Sequence, residues 1–187
     1  MKHILIIFSV FLFSFTFISC KSSDDGSTSS TGLFVTVGYS GTILTSPDGT
    51  TWDNRTSGTS YGLTGVTYGN GTFVTVGHTG TILTSSDGTT WTSRTSGTSG
   101  NLQDVTYGNG LFVSTGELGT ILTSSDGVTW TSRTSGTSDQ IREVTYGNST
   151  FVTVGDNGTI LTSTDGTSWT SRTSGTSYGL VGVTYSQ

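Results

Sequence analysis

The tryptophans stand at positions 52, 91, 130 and 169, each 39 residues after the last, and the residues around them recur at the same spacing. A fixed period of this length marks repeated supersecondary units that cannot bury their apolar faces alone and must stack. Aligned, the units share one template, F-V-T-V-G-x-x-G-T-I-L-T-S-x-D-G-x-x-W-T-x-R-T-S-G-T-S-x-x-L-x-x-V-T-Y-G-N. It runs four times without a gap over residues 33–187.

The residues inside one unit favour strands. The chain has no alanine and one proline and is rich in Thr, Ser, Gly, Val, Tyr and Phe, which suits short strands and turns rather than helices. In the second unit the β-prone runs are Leu63 to Tyr68, Thr72 to Val76, Thr81 to Ser85 and Thr90 to Thr95. They are separated by Gly69-Asn70-Gly71, Gly77-His78-Thr79-Gly80 and Ser86-Asp87-Gly88. Four strands in about 40 residues is the spacing of a β-propeller blade. Val66, Phe73, Val74, Val76, Ile82, Leu83 and Trp91 would fill the space between blades. The fold class is therefore all-β, a propeller of four 39-residue blades. The repeat array enters at Leu33 in the second strand of a blade, so the run Gly179 to Tyr185 is expected to supply the missing inner strand and close the first blade. Two chains could instead combine into one eight-bladed ring, as a homodimer. A β-solenoid suits the turn-rich hairpins less well.

Residues 1–19 precede the repeats: Met1-Lys2-His3, an uncharged apolar run from Ile4 to Ile18, and Ser19. A basic start and a short apolar run ending in a small residue describe a secretory leader, and the run is short for a membrane span, which needs about 20 apolar residues. Cys20 is the only cysteine, so no intramolecular disulfide can form. Phe17-Ile18-Ser19-Cys20 resembles the lipobox of bacterial lipoproteins, with Phe17 in the usual place of leucine. That resemblance implies cleavage before Cys20, acylation of its sulfur and amine, and attachment to a membrane through the lipid. Residues 20–32 then read as an acylated cysteine and a Gly/Ser/Thr-rich flexible tether. The expected location is the bacterial cell envelope, lipid-anchored at the outer membrane, and Lys21, Asp24 and Asp25 loosely resemble a signal for surface exposure.

At the turn before each tryptophan the chain reads S-P-D-G-T-T-W, S-S-D-G-T-T-W, S-S-D-G-V-T-W and S-T-D-G-T-S-W. The aspartate can accept from backbone amides of its own turn, and the glycine can take a positive φ. These segments resemble the Asp-box, or BNR, repeat. With V-G-x-x-G-T-I-L-T-S they are similar to the repeats of sialidase-like and photosystem-assembly-factor-like propellers of the WD40/YVTN/BNR-like group. The resemblance implies that Asp48, Trp52, Asp87, Trp91, Asp126, Trp130, Asp165 and Trp169 are structural, on the side away from any ligand. A sialidase adds three arginines converging on a carboxylate, a tyrosine nucleophile with a glutamate partner, and an acid aspartate. Here Arg55, Arg94, Arg133 and Arg172 occupy one equivalent position in four units, and only Arg142 is unique.

The copies differ at two places. Positions within G-x-x-G read Tyr39-Ser40, His78-Thr79, Glu117-Leu118 and Asp156-Asn157. The stretch entering the first strand reads Tyr61 to Gly65, Gly100 to Asp104, Asp139 to Glu143 and Tyr178 to Gly182. In an up-and-down meander both places emerge on one side, so a uniform scaffold would carry one diversified face. The candidate binding residues are Tyr39, Tyr61, His78, Asp104, Glu117, Asp139, Arg142, Glu143, Asp156 and Tyr178. Such a lining suits a protein or a glycan, and Glu117 with Glu143 is the candidate glycosidase pair. One histidine there is too little for a transition-metal site, and the G-x-x-G turns lack the lysine and helix of a phosphate loop, so no metal and no cofactor are expected. With 7 Lys and Arg against 12 Asp and Glu, and arginines dispersed, nucleic acid is excluded as a partner. The sequence thus points to a non-catalytic, lipid-anchored propeller that binds a protein or glycan, with a sialidase-like glycoside hydrolase and an assembly factor for a membrane complex as alternatives.

Overall fold

A computed structural model describes residues 32–186. The leader, Cys20 and the tether up to Thr31 lie outside the described residues. The described chain forms fifteen strands in four antiparallel meanders. The first sheet is β1 (Phe34–Val37), β2 (Ile43–Ser46) and β3 (Asp53–Arg55). The second is β4 (Leu63–Gly69), β5 (Thr72–Gly77), β6 (Ile82–Ser85) and β7 (Thr92–Arg94). The third is β8 (Leu102–Gly108), β9 (Leu111–Gly116), β10 (Ile121–Ser124) and β11 (Thr131–Arg133), and the fourth β12 (Ile141–Gly147), β13 (Thr150–Gly155), β14 (Ile160–Ser163) and β15 (Thr170–Arg172). Every sheet follows chain order, and the register is identical from sheet to sheet: Tyr68 faces Phe73, Tyr107 faces Phe112 and Tyr146 faces Phe151.

The core lies between sheets rather than within one. Val74, Val76 and Ile82 of the second sheet meet Leu102, Val105, Phe112 and Leu122 of the third, and Val113 and Ile121 meet Ile141, Val144, Phe151 and Leu161 of the fourth. Ile43 of the first meets Leu63 and Leu83 of the second. Burying each such side chain contributes roughly 1.5–3 kcal/mol, so the interfaces, repeated along the array, carry most of the stability. The inner strands set the spacing. A Cβ on Gly69 would lie 2.1 Å from the Tyr107 ring, and one on Gly108 would lie 2.2 Å from the Tyr146 ring. Only glycine leaves room for the tyrosine of the next blade.

The four S-x-D-G turns repeat one pattern of carboxylate hydrogen bonds. In the second sheet Asp87 Oδ1 accepts from the amides of Thr89 and Thr90 at 2.8 and 2.9 Å and from Ser85 Oγ at 2.9 Å. Ser85 Oγ in turn accepts from the Gly88 amide at 2.8 Å, and Trp91 Nε1 donates to the Gly88 carbonyl at 3.1 Å. Asp48, Asp126 and Asp165 accept from the equivalent amides of their own turns. Those amide donors hold all four carboxyls below the usual carboxylate range. The turn also joins blades: Leu33 lies under Gly88, Val74 under Gly127 and Leu111 under Gly166.

The structure differs from the sequence expectation at the closure. Among the described residues the first sheet has three strands, and no ladder joins residues 180–186 to β1. That segment lies instead against the fourth sheet. The Leu180 amide donates to the Gly155 carbonyl at 2.9 Å, the Val183 amide to Glu143 Oε2 at 3.3 Å, and Tyr185 covers Gly147. The repeat explains the placement, because each inner strand lies beside the one before it, and this segment follows β12 as β12 follows β8. A four-blade array that returned on itself would make that position also the inner edge of β1; here the array is an open arc.

Thr115 is a local conflict in this packing. It stands where the sister blades carry Val76 and Val154, is fully buried, and its hydroxyl has no partner among the described residues. Thr115→Val removes an unsatisfied buried hydroxyl at constant shape, so we expect it to stabilise the domain by about 1 kcal/mol in denaturant unfolding. A loss of stability would show that the hydroxyl is satisfied. The carboxyls of Asp48, Asp87, Asp126 and Asp165, whose pKa values are lowered on folding, contribute stability that is present above pH 4 and lost as pH falls further. The melting temperature should therefore drop between pH 5 and pH 2, with a shallower slope when all four aspartates are replaced by asparagine.

Candidate functional site

The second-to-third strand turns and the segments entering each blade share one end of the sheets. In each G-x-x-G turn the first glycine is extended, the second variable residue is left-handed (Ser40, Thr79, Leu118 and Asn157 at φ 55°, 57°, 53° and 56°), and the second glycine follows at positive φ. The threonine after the turn closes it, its amide donating back to the carbonyl of the first variable residue at 3.0–3.1 Å in all four blades. The entering segment is bonded to these turns. The His78 amide donates to the Gly62 carbonyl, Glu117 to Asn101 and Asp156 to Gln140, each at 2.9–3.0 Å, while the Leu63 amide donates to Gly38 of the preceding blade. The variable positions thus share one face on a hydrogen-bonded framework.

Two chemistries divide that face. Toward the first blade it is aromatic. A Cβ on Gly62 would lie 3.3 Å from His78 Nδ1 and 3.6 Å from the Tyr39 ring, so these two rings close over one glycine. Tyr39 and Tyr61 are 84% and 50% exposed, and Tyr178, 82% exposed, stands at the other end of the array, next to Gly179 beside Asp156 of the fourth blade. An open groove of about 470 Å³ adjoins Tyr61, between Gly58–Thr59 on one side and Thr79–Thr81 and Arg94–Ser99 on the other. Its walls are mostly Gly, Ser and Thr.

Toward the third and fourth blades the face is polar and internally bonded. Asn101 Nδ2 donates to Glu117 Oε1 at 2.9 Å, the Asn101 amide donates to Glu117 Oε2 at 3.2 Å, and Asn101 Oδ1 accepts from the Thr79 amide at 2.9 Å. Asp139 accepts from Asn157 Nδ2 and Thr159 Oγ1, both at 2.8 Å, which lowers its pKa. Arg142 Nε donates to Asp156 Oδ1 at 2.6 Å in a partly buried ion pair. Glu117 and Glu143 are engaged separately, Glu117 by Asn101 and Glu143 by the Val183 amide, so their contacts do not assemble a carboxylate pair. Arg55, Arg94, Arg133 and Arg172 lie one per sheet on the outer strands, each Nε donating to a threonine hydroxyl at 2.8 Å. They do not converge.

Asp104 and Glu143 lie deeper, each just past a bulge of its inner strand, at the position held by glycine in the second blade and in the final segment, Gly65 and Gly182. Asp104 Oδ2 accepts from the Val144 amide at 3.0 Å, while Oδ1 lies 3.0 Å from where a Gly65 Cβ would sit. Each carboxylate bridges its blade to the next. Burial, with the neighbouring Glu143 charge adding to it, pushes the Asp104 carboxyl up to about 6, against the lowering effect of the Val144 and Val105 amides.

Asn101, which sequence reasoning placed in a variable stretch but not among the binding candidates, proves to be the link between two turns. The signal was present in the succession Gly62, Asn101, Gln140 and Gly179 at one repeat position. Among the described residues no three His, Cys, Asp or Glu side chains are placed to hold a metal ion.

The chain matches no protein-family model and no curated protein. It is similar in structure to YCF48 bound to a D1 peptide, with a TM-score of 0.61 and 22% identity over 76% of this chain and 51% of that one. It is likewise similar to YCF48 from Cyanidioschyzon merolae, with a TM-score of 0.56 and 21% identity over 73% of this chain and 51% of that one. These likenesses show the β-propeller fold. The chain spans about half the length of the solved structures it matches.

An acid raised from 3.8 to about 6 contributes stability that is present below pH 4 and lost as pH rises through 6. Asp104→Asn keeps an oxygen for the Val144 amide and carries no charge to bury. We expect it to be more stable than the parent at pH 7 by on the order of 1–2 kcal/mol, with the difference vanishing near pH 4. Denaturant midpoints measured from pH 4 to 7 give the test, and a pH-independent difference would refute it.

Proposed function

We propose that this chain is a non-catalytic β-propeller, held at a bacterial membrane through acylated Cys20, that binds a segment of another protein on its variable face. The observation that carries this reading is the set of exposed tyrosines: Tyr39 on a turn closed by a backbone bond, and Tyr61 and Tyr178, whose amides donate to the Thr59 and Thr176 hydroxyls. Rigid aromatic side chains with two rotatable bonds supply contact area at small entropic expense, and a tyrosine hydroxyl can bond a peptide backbone. The groove beside Tyr61, walled by small hydroxylated residues and glycine, fits an extended peptide better than a bulky rigid ligand. The likeness to a YCF48 structure that holds a peptide supports a protein ligand over a glycan, and an assembly-factor role, in which a membrane-held propeller grips part of a larger complex, is the form of the proposal we favour.

The glycosidase alternative gains nothing from the geometry, since no arginine cluster converges and the acids are committed to neighbouring donors. The acidic half of the face sets electrostatic preference rather than chemistry, favouring segments with Lys or Arg.

The test is a cross-linked pull-down from cells expressing the full chain, comparing the parent with Tyr39→Ser, Tyr61→Ser and Tyr178→Ser combined. We expect recovery of the partner to fall at least tenfold while the melting temperature stays within a few degrees, because none of the three rings is buried. Undiminished recovery would place the binding surface elsewhere. In the same cells Cys20→Ser should move the protein from the membrane to the soluble fraction and abolish incorporation of a palmitate analogue.

A further inference from the structure

The two ends of the blade array are unfinished in complementary ways. Among the described residues β1 has a hydrogen-bonded neighbour only in β2, and Phe34 is 57% exposed, whereas its counterparts Phe112 and Phe151 are fully buried. At the other end Val152 and Ile160 are half-buried, whereas Val113 and Ile121, which the next blade covers, are fully buried. Residues 180–186 lie beside β12 in the position of a fourth inner strand, and among the described residues no second strand pairs with them. Among the described residues, then, one end shows no inner strand, and the other holds an inner strand with no blade packed beyond it.

We propose that a second copy of this chain supplies both, so that residues 180–186 of each copy pair with β1 of the other and two four-blade arcs close into one eight-bladed ring. The repeat fixes the register. Leu63 faces Gly77, Gly65 faces Val76, Val66 faces Thr75, Thr67 faces Val74 and Tyr68 faces Phe73. Moved along by whole repeats, Leu180 faces Gly38, Gly182 faces Val37, Val183 faces Thr36, Thr184 faces Val35 and Tyr185 faces Phe34 of the other copy. The last pair recreates the tilted Tyr–Phe contact present in the complete blades at 4.5–4.6 Å. The same docking sets the first blade of one copy on Val152 and Ile160 of the other.

The placement of the last segment supports two copies rather than one. Residues 180–186 bond to the fourth sheet and no ladder joins them to β1 of their own chain, and two four-blade arcs joined head to tail give eight blades, within the usual range of about 4–8 for a closed propeller. Both exposed edges and both uncovered apolar faces disappear together.

The experiment is sedimentation of the unmodified full chain in mild detergent at about 10 μM, together with disulfide trapping. Mixing a Val35→Cys chain with a Thr184→Cys chain under oxidation should give a covalent dimer that neither chain gives alone, and a Val37→Cys chain in place of Val35→Cys should give far less. A sedimented mass of two chains with the in-register bridge supports the proposal. A mass of one chain overturns it, whether the edge is covered by another part of the same chain or stays open, and so does a mass above two. A Val35→Cys, Thr184→Cys double variant that forms only an internal bridge overturns it as well, because the ring would then close within one chain.

Discussion

The fold depends on the contact between successive inner strands, where a tyrosine of one blade lies on a glycine of the blade before it. Tyr107 over Gly69, Tyr146 over Gly108 and Tyr185 over Gly147 set how closely neighbouring sheets approach. That spacing allows the valines, isoleucines and leucines farther out to interdigitate. A Cβ at any of these glycines would meet a ring at 2.1–2.2 Å, and the Tyr107 and Tyr146 rings are anchored by Phe112 and Phe151 and have nowhere to go. The repeat is therefore conserved within this chain most tightly where two units touch.

The opposite ends of the sheets are stabilised by different means, which divides labour between them. At one end the S-x-D-G turns are self-contained, each aspartate accepting from amides of its own turn, and the glycines of the second to fourth turns are seated on an apolar side chain of the preceding blade. At the other end backbone bonds close each G-x-x-G turn, so the side chains at the variable positions are free to differ. The third and fourth blades use that freedom for cross-links between turns, through Asn101, Asp139 and the Arg142–Asp156 pair. The first blade and its neighbours leave tyrosines in solvent. The exposed Tyr39 and Tyr61 rings thus concentrate on one side of the face and the cross-linked polar groups on the other.

Much of this was legible in the sequence because it is a property of the period. Four meanders, the strand order, the repeated S-x-D-G turns and the common side of both variable stretches follow from one template repeated at constant spacing. Trp91 was read as part of a fourth strand but precedes β7, because its indole turns back to the Gly88 carbonyl. Closure was not legible, since the angle between neighbouring blades arises from packing at their interface and leaves no mark on the period. The burial of Asp104 was equally hidden. At that position the chain offers Gly, Asp, Glu and Gly, a pattern that reads as surface variation until the bulges turn both carboxylates toward the next blade.

A stacked array gains its stability from nearest-neighbour interfaces, so blades at the ends are weaker than blades inside. Here the two inner blades have a neighbour on each side and the two outer ones have a neighbour on one. Among the described residues the first blade also has no inner strand. In an isolated arc, fraying would therefore begin at Phe34 and at Val152 and Ile160, the apolar side chains that the array leaves partly uncovered. Pairing of two arcs gives every blade two neighbours and makes the weakest elements part of the interface. Assembly and folding are then coupled through the same strands. In the paired arrangement Tyr39 and Tyr61 beside the first blade would come next to Tyr178 of the other copy, extending the aromatic part of the face across the junction.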